Sequence, residues 1–249
     1  TVTTCWDTTS EADESFNVTL SNATNSTITG TNPATGTLQD DPDPVPTVSL
    51  SGTTSVSETG GSATVTATLS VASGKAVTVP VTLGGTATQT TDYTASTTSI
   101  SIPAGSTTGT LTIAAVGDAL YEGSETVTVS IGTPTNATAA GSAVTVTITD
   151  DDPMPTVSLS GSTSISETGG SATITATLSA VSGVATTVNL TFSGTATLTS
   201  DYSRSATSIT IAAGSTTGTI TVDAAGDALD EDDETVFRLA HHHLVPGEY

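Results

Sequence analysis

A segment of 25 residues occurs twice in this chain with few changes. PTVSLSGTTSVSETGGSATVTATLS starts at Pro46, and PTVSLSGSTSISETGGSATITATLS starts 109 residues later at Pro155. The same spacing relates Glu58 to Glu167 and Asp118 to Asp227. Repetition at a fixed period is the sequence signature of structural units arranged in tandem. The chain is therefore predicted to be an array of one kind of domain.

The repeat also predicts where the domains begin and end. The first residues match the end of the repeat at an offset of 111, which pairs Asp7, Glu11 and Asp40-Asp41 with Asp118, Glu122 and Asp151-Asp152. We expect the C-terminal strands of a partial repeat in 1–43, a complete repeat in 44–152, a second repeat lacking its last strand in 153–240, and a non-repeat tail in 241–249. The tail, HHHLVPGEY, resembles the remnant of a purification tag. We interpret the chain as part of a longer array.

Alternating apolar and hydroxyl side chains fill the complete repeat. One run places Ala63, Val65, Ala67 and Leu69 at every second position, and Gly, Pro and Asn separate the runs. Alternation of period two is typical of half-buried strands. The pattern predicts an all-β fold of tandem immunoglobulin-like antiparallel β-sandwiches, with about seven strands each and no significant helix.

The charge balance excludes several classes of partner. Lys and Arg number 3 against 25 Asp and Glu, which gives a formal net charge of −22. Phosphate groups are bound by basic patches, so we expect no nucleic acid and no anionic membrane surface as partners. The longest uncharged run, 93–117, is rich in Thr, Ser and Gly and contains Pro103. Direct membrane insertion is therefore not expected, and the single Cys5 excludes an internal disulfide.

The residues of a catalytic site are missing from the repeats. The His residues occur at 241–243, so a Ser/His/Asp arrangement within a repeat is excluded. Glycine-rich segments lack the Lys of a phosphate-binding loop. Glycoside hydrolysis by paired carboxylates requires a sugar cleft rimmed by aromatics, and aromatic residues make up 3% of the chain. We predict that the protein is not an enzyme.

Acidic residues cluster at strand ends and in loops of the complete repeat, where Lys75 is the one basic residue. They are Glu58, Asp92, Asp118, Glu122, Glu125, Asp150, Asp151 and Asp152. Loops at one end of a sandwich bring distant residues together, and close carboxylates either raise one another's pKa or recruit a cation. Calcium takes six to eight hard oxygen ligands, whereas zinc favours His and Cys. We predict a calcium site; the alternative is a set of solvated loops that keeps the chain soluble.

Five motifs of the repeat resemble those of the Calx-β family, in fixed order. They are Ser57-Glu58-Thr59-Gly60-Gly61, Thr91-Asp92-Tyr93, Ile102-Pro103-Ala104-Gly105, Gly117-Asp118 with Tyr121-Glu122-Gly123-Ser124-Glu125-Thr126, and Ile148-Thr149-Asp150-Asp151-Asp152. The resemblance covers nearly the whole chain before the tail. It implies a β-sandwich that holds calcium at one end.

The resemblance also implies which residues hold the ion. In the complete repeat they are Glu58, Asp92, Asp118, Glu122, Asp150, Asp151 and Asp152. The equivalent set in the second repeat is Glu167, Asp201, Asp227 and Glu231, and in the partial repeat it is Asp7, Glu11, Asp40 and Asp41. The second repeat lacks the closing Asp run, so its site is expected to be incomplete unless another segment supplies oxygens.

We expect an extracellular or cell-surface protein, because extracellular calcium modules bind in the millimolar range that prevails there. The predicted role is structural or adhesive, with calcium at domain ends making a rod-like array rigid. Neighbouring repeats or identical subunits head to tail are the expected partners, together with a surface receptor or glycan. Two alternatives stay open at this point: a carbohydrate-binding module, and a filament subunit completed by strand addition between subunits.

Overall fold

A computed structural model describes residues 9–40, 43–226 and 232–241. Four predicted ligands, Asp7, Asp41, Asp227 and Glu231, lie outside the described residues. Cys5 and most of the tail lie outside them as well. The chain divides into two compact units, and each is described by itself.

The first unit begins with a hairpin. Strand β1 (Glu14–Val18) pairs antiparallel with β2 (Ala34–Leu38), and Glu14 lies opposite Leu38. The loop between them is closed by Asn32, whose side chain accepts a hydrogen bond from the Leu20 amide at 2.8 Å and donates one to the Leu20 carbonyl at 3.0 Å. This hairpin forms a two-stranded sheet of its own.

A sandwich of two five-stranded sheets makes up the rest of the first unit. One sheet has the order β4 (Ser55–Ser57), β12 (Val144–Thr149), β10 (Glu125–Ile131), β6 (Val77–Gly85) and β8 (Ser99–Ile102). The other has the order β11 (Thr138–Ala139), β3 (Thr47–Gly52), β5 (Ser62–Leu69), β9 (Thr108–Ala115) and β7 (Tyr93–Ala95). The alternating residues face the space between the sheets: Ala63, Val65 and Ala67 are fully buried.

The segment 47–57 is divided between the two sheets. Strand β3 pairs antiparallel with β5, and after Gly52 the chain crosses to the other sheet, where β4 pairs parallel with β12. The crossing is held by a hydrogen bond from the Thr53 amide to the Thr64 carbonyl at 3.2 Å and by one from the Thr147 amide to the Thr54 carbonyl at 2.8 Å. Because of this division, the residues that follow β4 lie beside the C-terminal end of β12.

The second unit contains a smaller sandwich. A four-stranded sheet has the order β13 (Val157–Gly161), β14 (Ser171–Leu178), β18 (Thr217–Ala224) and β16 (Tyr202–Arg204). A three-stranded sheet has the order β17 (Ser208–Ile211), β15 (Thr186–Gly194) and β19 (Val236–His241). Its core includes Ile174, Ala176, Ile209, Ile211 and Val222.

The predicted fold class is confirmed: the described residues form all-β sandwiches without a helix. The prediction of about seven strands per repeat covers the long strands of the first sandwich, while the short β4, β7 and β11 were not predicted. Among the described residues, no helix is long and apolar enough to cross a membrane.

Candidate metal centre

Glu58 follows β4 directly and is placed by backbone hydrogen bonds. Its amide donates to the Thr149 carbonyl at 3.0 Å, which ties it to the end of β12. The Gly61 amide donates to the Ser57 carbonyl at 2.9 Å and closes the turn after it. Glu58 retains only 6% of its surface exposed. A carboxylate is seldom so buried unless it interacts with a charge, a hydrogen-bond donor or a metal ion.

Asp150 holds the loop between β9 and β10 against the end of β12. One carboxylate oxygen accepts hydrogen bonds from the amides of Glu122 at 3.3 Å and Gly123 at 3.0 Å. The other accepts from the amide of Asp152 at 3.2 Å. Asp118, at the start of the loop, accepts from the Leu120 amide at 2.7 Å. Asp150 thus organises the backbone that carries the other carboxylates.

Glu58, Asp118 and Asp152 form the first group of carboxylates. Each offers an oxygen, and these oxygens all lie within 4.8 Å of one another. Desolvation raises the pKa of Asp152, and the charges of Asp150, Asp151 and Asp118 raise it further. Repulsion between carboxylates is the condition that a divalent cation relieves.

Asp92, Glu122 and Glu125 form a second group with the same 4.8 Å limit between their oxygens, and all three are half-buried. Asp92 also shapes its own loop: its carboxylate accepts a hydrogen bond from the Thr88 amide at 2.5 Å, and its carbonyl accepts one from the Val116 amide at 2.9 Å. Aspartate and glutamate oxygens are the ligands that calcium prefers. The two groups together provide six carboxylates in one repeat.

Glu125 was not among the predicted ligands. It is the first residue of β10, and its partner across the strand pair is Ile148. The sequence carried a usable signal, because Glu125 recurs as Glu234 in the second repeat and as Glu14 in the partial repeat. Asp151, a predicted ligand, is exposed and belongs to neither group in the described part of the chain.

The partial repeat departs from the predicted alignment by one residue. Glu14 lies opposite Leu38 in the hairpin, whereas Glu125 lies opposite Ile148, so Asp40 takes the place of Asp150 rather than that of Asp151. Consistently, the Glu11 amide donates to Asp40 at 3.3 Å, as Glu122 does to Asp150. Asp40 also forms an ion pair with Lys75 at 3.5 Å.

The second repeat keeps part of the arrangement. Asp201 accepts a hydrogen bond from the Thr197 amide at 2.6 Å, the contact that Asp92 makes with Thr88. Glu167, in contrast, is exposed, and the segment before it forms no strand. Among described residues, the second repeat contributes no group of three close carboxylates.

A comparison of the sequence with models of protein families gives two matches, one for each of the two longer repeats. The family model for the Calx-beta domain matches residues 40–152 and again residues 150–244. The chain belongs to the Calx-beta family. The resemblance predicted from the five motifs is thereby confirmed, and the two Calx-beta matches follow one another along the chain. A comparison with curated proteins gives no match.

Several solved structures are similar to the chain. The crystal structure of CBD12 from CALX1.2 is 18% identical, with coverage of 70% of this chain and 75% of that chain and a TM-score of 0.38. The calcium binding domain CBD12 of CALX1.1 is 20% identical, with coverage of 71% and 74% and a TM-score of 0.37. The apo-form Calx CBD1 domain is 22% identical over 44% of this chain and 100% of that chain, with a TM-score of 0.38.

Proposed function

We propose that the complete Calx-beta repeat binds calcium through its two carboxylate groups. The observation that supports this proposal most is the first group, in which oxygens of Glu58, Asp118 and Asp152 lie within 4.8 Å of one another. The resemblance of the five motifs to the Calx-β family implies calcium at these positions. Membership of the chain in that family and the grouping of the residues support the same conclusion.

The donor set favours calcium over other cations. The two groups contain only carboxylates, and such hard oxygen ligands suit calcium and magnesium rather than zinc or copper. Magnesium demands near-ideal octahedral geometry and keeps several waters, whereas calcium accepts six to eight ligands in a flexible arrangement. A set of six carboxylates on four separate segments of the chain suits the larger ion.

Glu58, Asp118 and Asp152 would hold one calcium ion, and Asp92, Glu122 and Glu125 a second. Calcium supplies positive charge that offsets the repulsion between carboxylates. Asp150 acts as a positioning residue, because its oxygens accept the amides of Glu122, Gly123 and Asp152. The role we propose is binding without catalysis.

The biological role we propose is that of an extracellular structural or adhesive repeat. The closing Asp150–Asp152 run joins one Calx-beta repeat to the next in sequence, so charges there bear on the junction. Cancelling these charges with calcium would make an array of repeats more rigid. The net charge of −22 supports a location where calcium is abundant. Neighbouring repeats or identical subunits are the proposed partners.

Calcium titration of the full chain by isothermal calorimetry tests the proposal. We expect saturable binding by the wild-type chain in the range of about 10⁻⁴ to 10⁻³ M or tighter. Asp118→Asn should weaken the tightest step by about tenfold or more, since ligand charge sets affinity. Asp223→Asn is the control, because Asp223 is an exposed residue of β18 that accepts the Ser171 hydroxyl at 2.5 Å. Equal affinities for all three chains would contradict the proposal.

A further inference from the structure

Two serines at equivalent positions are buried in this structure. Ser73 follows β5, Ser182 follows β14, and each retains 1% of its surface exposed. Each is followed by glycine, Gly74 and Gly183. A buried hydroxyl is costly unless it is hydrogen-bonded, so the partners of these serines show what the turn is built to contact.

The partner is a backbone carbonyl in an acidic loop. The hydroxyl of Ser182 donates to the carbonyl of Tyr121 at 3.0 Å, and the Gly183 amide donates to the same carbonyl at 2.9 Å. The Val184 amide in turn donates to the Ser182 hydroxyl at 3.2 Å. One carbonyl therefore receives two hydrogen bonds from one Ser-Gly turn.

The same arrangement occurs a second time. The Gly74 amide donates to the Ser10 carbonyl at 3.0 Å, the Ser73 hydroxyl makes a longer contact with it at 3.5 Å, and the Lys75 amide donates to the Ser73 hydroxyl at 3.1 Å. Each of the two contacts lies within one compact unit. Ser10 and Tyr121 differ in side chain but present the same carbonyl. The turn therefore recognises backbone, and the side chain at that position is free to vary.

The carbonyl group of each turn serine is also hydrogen-bonded to another turn of its own sandwich. The carbonyl of Ser182 accepts a hydrogen bond from the Gly214 amide at 2.9 Å, and the carbonyl of Ser73 accepts one from the Gly105 amide at 2.7 Å. These amides belong to the Ile-Pro-Ala-Gly turn of the first sandwich and its counterpart in the second. The Ser-Gly turn is thus a fixed surface rather than a loose loop.

The glycine of the turn faces a glutamate. A Cβ built on Gly183 would lie 2.5 Å from Cγ and Oε1 of Glu122, and one built on Gly74 would lie 2.6 Å from Cγ of Glu11. No real Cβ approaches so closely, so either glutamate would have to move if its glycine acquired a side chain. Glu122 belongs to the second carboxylate group. The absence of a side chain at Gly183 therefore leaves the space that the Glu122 side chain occupies.

We propose that the Ser-Gly turn of each repeat is a docking surface for the acidic loop of the preceding repeat, and that Ser182 and Gly183 are positioning residues for Glu122. The partner recognised is a backbone carbonyl followed by glutamate. The docking half of this inference, that the Ser-Gly turn binds the acidic loop, is argued from hydrogen bonds that involve no metal ion. The positioning half, that Ser182 and Gly183 place Glu122 for metal binding, rests on the proposed calcium function. Calcium affinity in one repeat thus depends on residues of the next repeat that carry no metal ligand.

Amide hydrogen exchange of the full chain in chelator, followed by NMR, tests the docking half. Ser182→Ala should speed exchange of the Gly183 amide by about tenfold, because one hydrogen bond of the pair is lost and the other is exposed. Exchange at Gly74 serves as the internal reference and should not change. Equal rates at Gly183 in the variant and the wild type would overturn docking, whatever the outcome with calcium.

Calorimetric titration with calcium tests the positioning half. Gly183→Ala should weaken the step that involves Glu122 by about tenfold or more, in the range seen when residues that orient metal ligands are replaced. Gly84→Ala is the matched control, because a Cβ there meets nothing within 4 Å. Unchanged affinity in Gly183→Ala overturns positioning, while absence of binding by the wild type overturns the proposed function and positioning together. The exchange result decides docking in either case.

Discussion

The amide of Glu58 donates a hydrogen bond to the carbonyl of Thr149 at 3.0 Å, and this contact joins two strands that are some ninety residues apart in sequence. The segment Ser-Glu-Thr-Gly-Gly around Glu58 occurs again, unchanged, around Glu167. Glu58 is buried, but Glu167 is exposed. The difference arises because β12 pairs with the residues before Glu58, and the described residues supply no such partner before Glu167.

Glu58→Gln and Glu167→Gln should therefore differ in their effect on calcium binding. Both substitutions remove one charge from the same local sequence. We expect Glu58→Gln to weaken the tightest calcium step by about tenfold or more and Glu167→Gln to leave that step unchanged, because ligand charge sets affinity. Isothermal calorimetry measures both, and equal losses in the two variants would refute the assignment of the first group.

Titration of Asp152 should make the metal-free protein less stable as the pH rises through the acid range. Desolvation, followed by the charges of Asp150, Asp151 and Asp118, raises the pKa of Asp152 above its ordinary value. The native state then binds this proton more tightly than the unfolded chain does, so the contribution of Asp152 to the free energy of unfolding decreases between the ordinary pKa and the raised native pKa.

Urea denaturation in chelator, repeated over a pH series, measures this dependence. In Asp152→Asn the free energy of unfolding should fall less with rising pH, because the group that titrates is gone. Above the raised pKa, the variant should be more stable than the metal-free wild type. Asp223→Asn removes a charge elsewhere on the surface and should keep the wild-type slope. A wild-type slope in Asp152→Asn would show that Asp152 is not the group responsible.

Two adjacent glycines at the end of β6 should respond differently to alanine. Gly85 has a φ of +113°, and a Cβ there would collide with the carbonyl oxygen of Thr126. A Cβ at Gly84 meets nothing within 4 Å. We expect Gly85→Ala to lower the free energy of unfolding by about 2 kcal/mol or more, from backbone strain and the clash, and Gly84→Ala to have little effect. Chemical denaturation monitored by circular dichroism compares them.

Leu111 lies at the centre of the first core and is fully buried. Leu111→Ala should cost about 2–5 kcal/mol of stability, since it removes buried methyl groups and leaves a cavity. Leu20 is 62% exposed, so Leu20→Ala should change stability by less than about 0.5 kcal/mol. The same denaturation measurement applies, and a small loss for Leu111→Ala would contradict the described packing.

Calcium should raise the thermal stability of the chain. A ligand that binds only the native state stabilises it by about 1.4 kcal/mol at a concentration ten times its dissociation constant, which is the ratio for millimolar calcium and a constant of about 10⁻⁴ M. Differential scanning calorimetry with millimolar calcium, and again with excess chelator, should show a higher Tm with the ion. Magnesium at the same concentration is the control for ionic strength, and identical traces in calcium and chelator would contradict calcium binding.

Local pattern was sufficient to predict the long strands and the core. The alternation that marks Ala63, Val65, Ala67 and Leu69 as one face predicts β5, and all four side chains are buried. Burial on one face of a strand is a property of neighbouring residues, so a single segment carries the information. The five motifs predicted the family, and five of the six residues in the two carboxylate groups were among the ligands that the resemblance implied; Glu125 was not.

Tertiary structure decided how those residues are used. The division of the segment 47–57 into β3 and β4, and with it the burial of Glu58, requires pairing with β12, whose residues lie far along the chain. The grouping of Glu125 with Asp92 and Glu122, and the contact of Glu122 with Gly183, likewise join distant segments. Two identical Ser-Glu-Thr-Gly-Gly segments cannot differ in their own preferences. Within residues 9–40, 43–226 and 232–241, only Glu58 has a partner strand beside the residues that precede it, and its burial differs from that of Glu167 for this reason.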